Sequence, residues 1–156
     1  MLVQDAIRQI KVSTHDALDE YSEPHCLDFL NRAIQQVASL LAAGGYYPMV
    51  KEIILEDGSY LPHNFMKACG NYPIRITNNR IELLDDDEFE IRFRYFANPE
   101  RLTQDTLEMP YSNDAINEVI VTLATMFALN ENEFDIQQDS ALMQTLQQAI
   151  AAGFGA

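Results

Sequence analysis

Two histidine–cysteine pairs are the first residues in this sequence whose types could do chemistry. His25-Cys26 and His63…Cys69 hold the inventory of a zinc site, in which thiolates and imidazoles close a tetrahedron around the metal. Neither pair has finger-type spacing, and Cys26 lies near the apolar stripe of a predicted helix. Both pairs therefore read as core or surface residues, and no metal is expected. The run Asp85-Asp86-Asp87-Glu88 carries oxygen donors suited to calcium. An EF-hand loop spaces its ligands at alternate positions around a central Gly with a distal Glu. Here that Gly is missing, so the run reads as a solvated turn between strands.

Nucleophilic catalysis needs a Ser, Cys or Thr with a base and a group that orients the base. The sequence holds no Gly-x-Ser-x-Gly, and none of its three His residues sits in a catalytic setting. Gly44-Gly45 is followed by Tyr-Tyr-Pro instead of a Lys opening a helix, so it is no phosphate-binding loop. Phe89, Phe93, Tyr95 and Phe96 beside Arg92 and Arg94 superficially suit a stacking platform for single-stranded nucleic acid. The acidic run next to them opposes that, and burial of one strand face is preferred. The expectation is a protein that is not an enzyme and takes no cofactor.

Charge points the same way. The 156 residues carry 24 Asp and Glu against 10 Lys and Arg, a formal net charge of −14. A protein that grips DNA or anionic lipid through phosphates needs clustered cations, which this balance does not favour. Two readings of the acidity stay open: a solvated surface, or acidic faces of repeated copies lining a shared lumen through which DNA passes without sticking. Hydrophobic residues make up 47%, enough to bury one core in a chain of single-domain length. No apolar run approaches the ~18 residues that would span a bilayer. The start MLVQDAIRQIKVS lacks the basic-then-apolar order of a secretory signal, and the two cysteines read as reduced, so a cytosolic origin is expected.

The elements that would position these residues follow from periodicity. Leu2, Val3, Ala6, Ile7 and Ile10 predict a short amphipathic helix, and Ser13 to Ser22 a polar linker. Ser22 caps a second helix with Pro24 just inside it, striped by Leu27, Leu30, Ile34, Val37 and Leu41 and stopped by Gly44-Gly45. Tyr46 to Glu56 reads as β-rich, Asp57-Gly58 as a turn, and Pro62 to Gly70 as one helical turn. Pro73–Thr77 and Arg80–Leu84 form a hairpin about Asn78-Asn79. A further strand would line one face with Phe89, Ile91, Phe93 and Tyr95 and the other with Arg92 and Arg94, ending at Asn98-Pro99. Ser112, Asn113 or Asp114 caps a helix so apolar (Ile116, Val119, Ile120, Leu123, Met126, Phe127) that it must be buried on several sides. After a polar break at residues 130–133, a last helix carries Ile136, Leu142, Leu146 and Ile150. The fold class expected is α+β, mainly helical: about four helices with an inserted antiparallel hairpin or sheet. Residues 1–130 would make the body, with the β region at 46–97, and 131–156 a C-terminal helix and tail of the same domain.

In that order the chain resembles the head–tail adaptor (connector) proteins of tailed bacteriophages. The resemblance covers most of its length. It rests on the opening helix, the block Phe29-Leu30-Asn31-Arg32-Ala33-Ile34-Gln35-Gln36-Val37 and Tyr60-Leu61-Pro62. The strand ending Phe93-Arg94-Tyr95-Phe96, then Met109-Pro110-Tyr111, then the closing helices complete it. The chain departs from the family pattern in having no tryptophan and an unusually acidic linker between its first two helices. The resemblance implies a structural virion protein: a ring, typically dodecameric, under the portal, which extends the DNA channel and carries the next neck or tail component. It implies a place at the virion neck after synthesis in the host cytoplasm, and no membrane partner. Portal contact would fall to Phe134, Ile136, Leu142, Leu146, Ile150 and Phe154, the alternative being that this helix packs on its own domain. Neighbouring copies would meet through the hairpin residues Ile74, Ile76, Asn78, Asn79, Ile81 and Leu83, because strand edges offer unpaired backbone. The rival functions are a tail terminator or head-closure protein and, in another class, a small enzyme or ligand-binding domain.

Overall fold

Val3, Ala6, Ile7 and Ile10 recur at steps of three and four, which puts them on one face of a helix. All four are buried on helix α1 (Val3–Ser13) in the computed structural model, which describes residues 1–14, 21–85, 87–130 and 135–154. Leu2, grouped with that stripe by its spacing, instead occupies the N-cap position and is 50% exposed. Helix α2 (Glu23–Ala43) begins at Ser22, whose hydroxyl accepts the His25 N–H at 3.4 Å, with Pro24 in the first turn. Its stripe of Leu27, Leu30, Ile34, Val37 and Leu41 is buried, and Cys26 lies fully buried among them. Gly45 follows the helix with φ +78°, a left-handed conformation that a β-carbon would strain.

Helix α3 (Asp114–Asn130) is the axis of the helical core. Asn113 caps it, its side chain accepting the Ala115 N–H at 2.9 Å. Ile116, Val119, Ile120, Val121, Leu123, Ala124, Phe127 and Ala128 are all buried, because α1, α2 and α4 (Ser140–Phe154) each pack against a different side. Met109 is buried under the same core: its N–H donates to the Met1 carbonyl at 2.9 Å, while the Val3 N–H donates to the Leu107 carbonyl.

Between α2 and α3 stand five strands: β1 (Val50–Glu56), β2 (Phe65–Ala68), β3 (Ile74–Thr77), β4 (Arg80–Leu83) and β5 (Glu90–Ala97). β1, β5 and β2 form an antiparallel sheet in that order, and β3 pairs with β4. The helical turn expected at 62–70 is therefore a strand. Phe65 and Ala68 pair with Ala97 and Tyr95 of β5 across a bulge, and that long-range pairing overrides a local pattern too short to set a period. The hairpin forms as its residues predict, with Asn78 at φ 53° and Asn79 at φ 63°, the two positive angles of the tight turn that matches strand twist. The fold is α+β and mainly helical, with four helices and a small antiparallel β region.

Strand β5 joins two apolar clusters. Ile91, Phe93 and Tyr95 face a β cluster with Leu55, Ile81 and Ala97, while Phe96 points the other way into the helical core. Tyr72 stacks on Phe93 with ring centroids 4.9 Å apart. Phe89, expected on the same face as Phe93, lies before the strand begins and is 88% exposed.

Candidate interaction surfaces

The C-terminal residues expected to contact a portal are largely used within their own domain. Ile136 and Leu146 are 2% and 1% exposed and belong to the helical core. Leu142 and Ile150 are half-buried against it. Ile136 precedes α4 in a short 3-10 turn whose start is held by Asp135, which accepts the Gln137 N–H at 2.9 Å. Small residues let α4 approach the end of α2. A β-carbon on Gly44 would lie 2.5 Å from Ile150 Cδ1, and one on Gly153 would lie 3.0 Å from the Tyr46 ring. Ile136 and Leu146 could reach another protein only if α4 left its seat. Phe134 and the side chain of Phe154 lie outside the described residues.

The hairpin divides similarly. Ile74, Ile76, Ile81 and Leu83 share one face, since Ile74 pairs with Leu83 and Ile76 with Ile81. Ile81 is 2% exposed and is a member of the β cluster, so within one chain it is spent on its own core. Ile74 and Leu83 pack partly against that cluster, whereas Ile76 is 45% exposed and Asn78 and Asn79 stand at the exposed tip. The outer side of β4 is covered by residues 57–61: the Ile81 N–H donates to the Ser59 carbonyl and the Gly58 N–H to the Ile81 carbonyl. β3 is the open edge of this two-stranded sheet.

Two of the hollows in the surface have a mixed polar and apolar lining. One, of about 540 Å³, lies beside Met1, Asp5, Arg8, Gln9, Asp114 and Glu118. The terminal amine of Met1 donates to Asp114 at 3.1 Å. Hydrogen bonds from that amine and from Asn117, together with the amine's charge, hold the Asp114 carboxyl below its ordinary pKa. The other, of about 390 Å³, is lined by Asn31, Gln35, His63, Asn64, Asn98 and Arg101. Gln35 and Asn98 exchange amide hydrogen bonds at 3.2 Å there, and Tyr95 donates to Asn64 at 3.0 Å. Among the described residues no three His, Cys, Asp or Glu side chains converge as metal ligands do, and no helix is long and apolar enough to cross a membrane.

Periodicity had no means of finding the buried Asn31, which interrupts an apolar stripe. Its side chain donates to the Leu102 carbonyl at 3.0 Å and accepts the Leu102 N–H at 2.7 Å, pinning the strand-to-helix loop onto α2. Asn31→Leu should therefore cost about 2–4 kcal/mol in a urea melt, since both backbone groups of Leu102 would stay buried without partners. Tyr111 presents the opposite case. Burial, and secondarily the phenol of Tyr46, raises its pKa, and its hydroxyl oxygen is buried with no hydrogen-bond partner among the described residues. Tyr111→Phe should leave the protein as stable or about 1 kcal/mol more stable by thermal melt, because a desolvated donor is removed at constant shape.

The outward face of the three-stranded sheet carries Arg92 and Arg94 from β5 and Ile54 from β1, which is 60% exposed and sits directly opposite Arg92. No protein-family model matches this chain, and neither does any curated protein. Its surfaces must be read from their own chemistry.

Proposed function

We propose that this chain is a head–tail adaptor subunit of a tailed bacteriophage, acting as a ring beneath the portal that extends the DNA channel and joins the head to the neck. The observation that carries the reading is the order of elements. An opening helix is followed by the helix holding Phe29–Val37, then a β insertion that begins and ends against the helical core. The Met109-Pro110-Tyr111 segment and the closing helices come after it. The predominance of helix favours this reading over a tail terminator or head-closure protein, which would be richer in strand. The open β3 edge beside the exposed Ile76 supplies a place where a neighbouring copy can add backbone hydrogen bonds. The net charge of −14 suits a lumen past which DNA slides, because like charges repel.

This reading assigns the chain shape and multiplicity but no reaction, and its partners are the portal, the next neck or tail component and other copies of itself. The test is to mix the purified chain with the portal encoded beside it and image the mixture by negative stain. Annular density added to one end of the portal is the expected result. A chain that stays monomeric and unattached in that mixture overturns the reading.

A further inference from the structure

We propose that copies of this chain join edge to edge, β3 of one copy adding as a parallel strand to the free edge of β1 in the next. The contact rests on reading the chain as a repeated subunit, and it names the strands and the register that meet. Backbone directions locate the two edges. On β4 the Ile81 N–H donates to Ser59 and its carbonyl accepts from Gly58. Ile76, the cross-strand partner of Ile81, therefore turns its own N–H and C=O away from β4. On β5 the Arg94 carbonyl accepts from Cys69 and the Arg94 N–H donates to the Tyr72 hydroxyl at 2.9 Å, both away from β1. Its partner Glu52 then points its backbone groups out of the sheet edge, as does Ile54 two residues on. Among the described residues nothing bonds the outward backbone of Ile76, Glu52 or Ile54. The other edge of that sheet, β2, is broken by a bulge, whereas β1 runs seven residues with neither bulge nor proline.

These directions select a parallel join. In antiparallel pairing two outward-bonding residues sit opposite each other, which would put Ile76 on the charged face beside Glu52 or Ile54. In parallel pairing Ile76 sits instead beside a residue that bonds the other way, Ile53, and both then face the side of the β cluster. Ile76 would donate to the Glu52 carbonyl and accept from the Ile54 N–H. The same register sets Arg75 beside Glu52 on the outward face. Arg75 already pairs with Glu82, and Glu52 lies across from Arg94. A row of Glu82, Arg75, Glu52 and Arg94 would therefore cross the seam with the sign alternating at every strand. Shifting the register by two residues either way puts Arg75 on Val50 or Ile54 and loses that row.

The two faces also match as wholes. The outward face of the β1–β5 pair carries Glu52, Glu56 and Glu90 against Arg92 and Arg94 and is net acidic. The corresponding face of the hairpin carries Arg75 and Arg80 against Glu82 and is net basic. In a chain with 24 acidic and 10 basic side chains, two copies repel unless a contact matches opposite signs, and this one does. Because the joined edges differ, the contact is heterologous and repeats from copy to copy, as a closed ring requires.

Cysteine trapping tests it. In a Cys69→Ser background one chain carries Ile54→Cys and another Thr77→Cys, exposed positions that this register sets side by side. Mixed at high concentration and oxidised, free and on the portal, they should give a disulfide-linked dimer containing one of each. Either chain alone should give about tenfold less. Arg75→Glu in the Thr77→Cys chain should lower the yield about fivefold, and Glu52→Arg in the Ile54→Cys chain should recover most of that loss. In the wild-type chain, exchange of the Ile54 and Ile76 amide hydrogens should slow about tenfold or more in the oligomer relative to the dilute monomer. Unchanged exchange, or no mixed dimer from folded chains, overturns the contact. Disulfides equally abundant in either chain alone overturn the head-to-tail form, and a yield indifferent to charge reversal overturns the register. The adaptor reading is judged separately by wild-type chain on portal: attachment without the cross-link sinks only the contact, and the cross-link without attachment sinks only the adaptor role.

Discussion

Deleting residues 135–156 should unfold the helical body, not merely trim it. Ile136, Leu146 and Ala149 are buried in the same core as α2 and α3, with Leu142, Met143 and Ile150 packed against its edge. Re-exposing the surface they cover, at roughly 1.5–3 kcal/mol for each large side chain, removes on the order of 5 kcal/mol or more. That rivals the entire stability of a domain this size, about 5–15 kcal/mol. Far-UV circular dichroism of the truncated chain should show more helix lost than the 15 residues of α4 can account for. Leu146→Ala in the full chain gives a graded version, about 2–5 kcal/mol lower in a urea melt. A truncated chain melting like the full one would mean that α4 is a removable arm after all. For Ile136 or Leu146 to meet a portal, α4 must leave its seat at a cost of that size. Such an exchange requires the portal to cover comparable apolar area.

Phe93→Ala should be the most damaging single substitution in the β region. Phe93 is fully buried, stacked by Tyr72 and flanked by Phe65 and Tyr95 at centroid distances of 5.9 and 6.1 Å. Its removal loses transfer free energy and leaves a cavity walled by stiff rings that collapse poorly, together about 3–5 kcal/mol. Strand β5 continues into Phe96, which belongs to the helical core, so the loss should spread to both clusters. Thermal unfolding followed by near-UV tyrosine signal and by far-UV helix signal should then shift together. A shift confined to the aromatic signal would show instead that the two clusters melt independently.

Much of this fold is legible from local chemistry. Ser22 and Pro24 announce α2, the steps between Leu27 and Leu41 paint its buried face, and Asn78-Asn79 demand a tight hairpin through their tolerance of positive φ. Those signals are local because capping, periodicity and turn strain act over a few residues. The nearly all-apolar α3 likewise announces a helix surrounded on several sides, since no other environment would accept it.

The burial of Ile136 and Leu146 is of another kind. An apolar stripe on α4 fits a docking face and a core face equally well, and only the packing of α4 on α3 and the end of α2 decides between them. The same holds for β2, whose strand state depends on pairing with β5 nearly thirty residues away, and for Asn31, a polar residue kept in a core by the backbone of Leu102. Phe89 looks in sequence like one more core aromatic, yet the strand starts one residue later and leaves it in water. Residue types and spacing determined the helices, the hairpin and the acidic character. Tertiary structure alone decided which apolar side chains are used up inside the domain and which remain for a partner, because burial is a property of what packs on a residue and not of the residue itself.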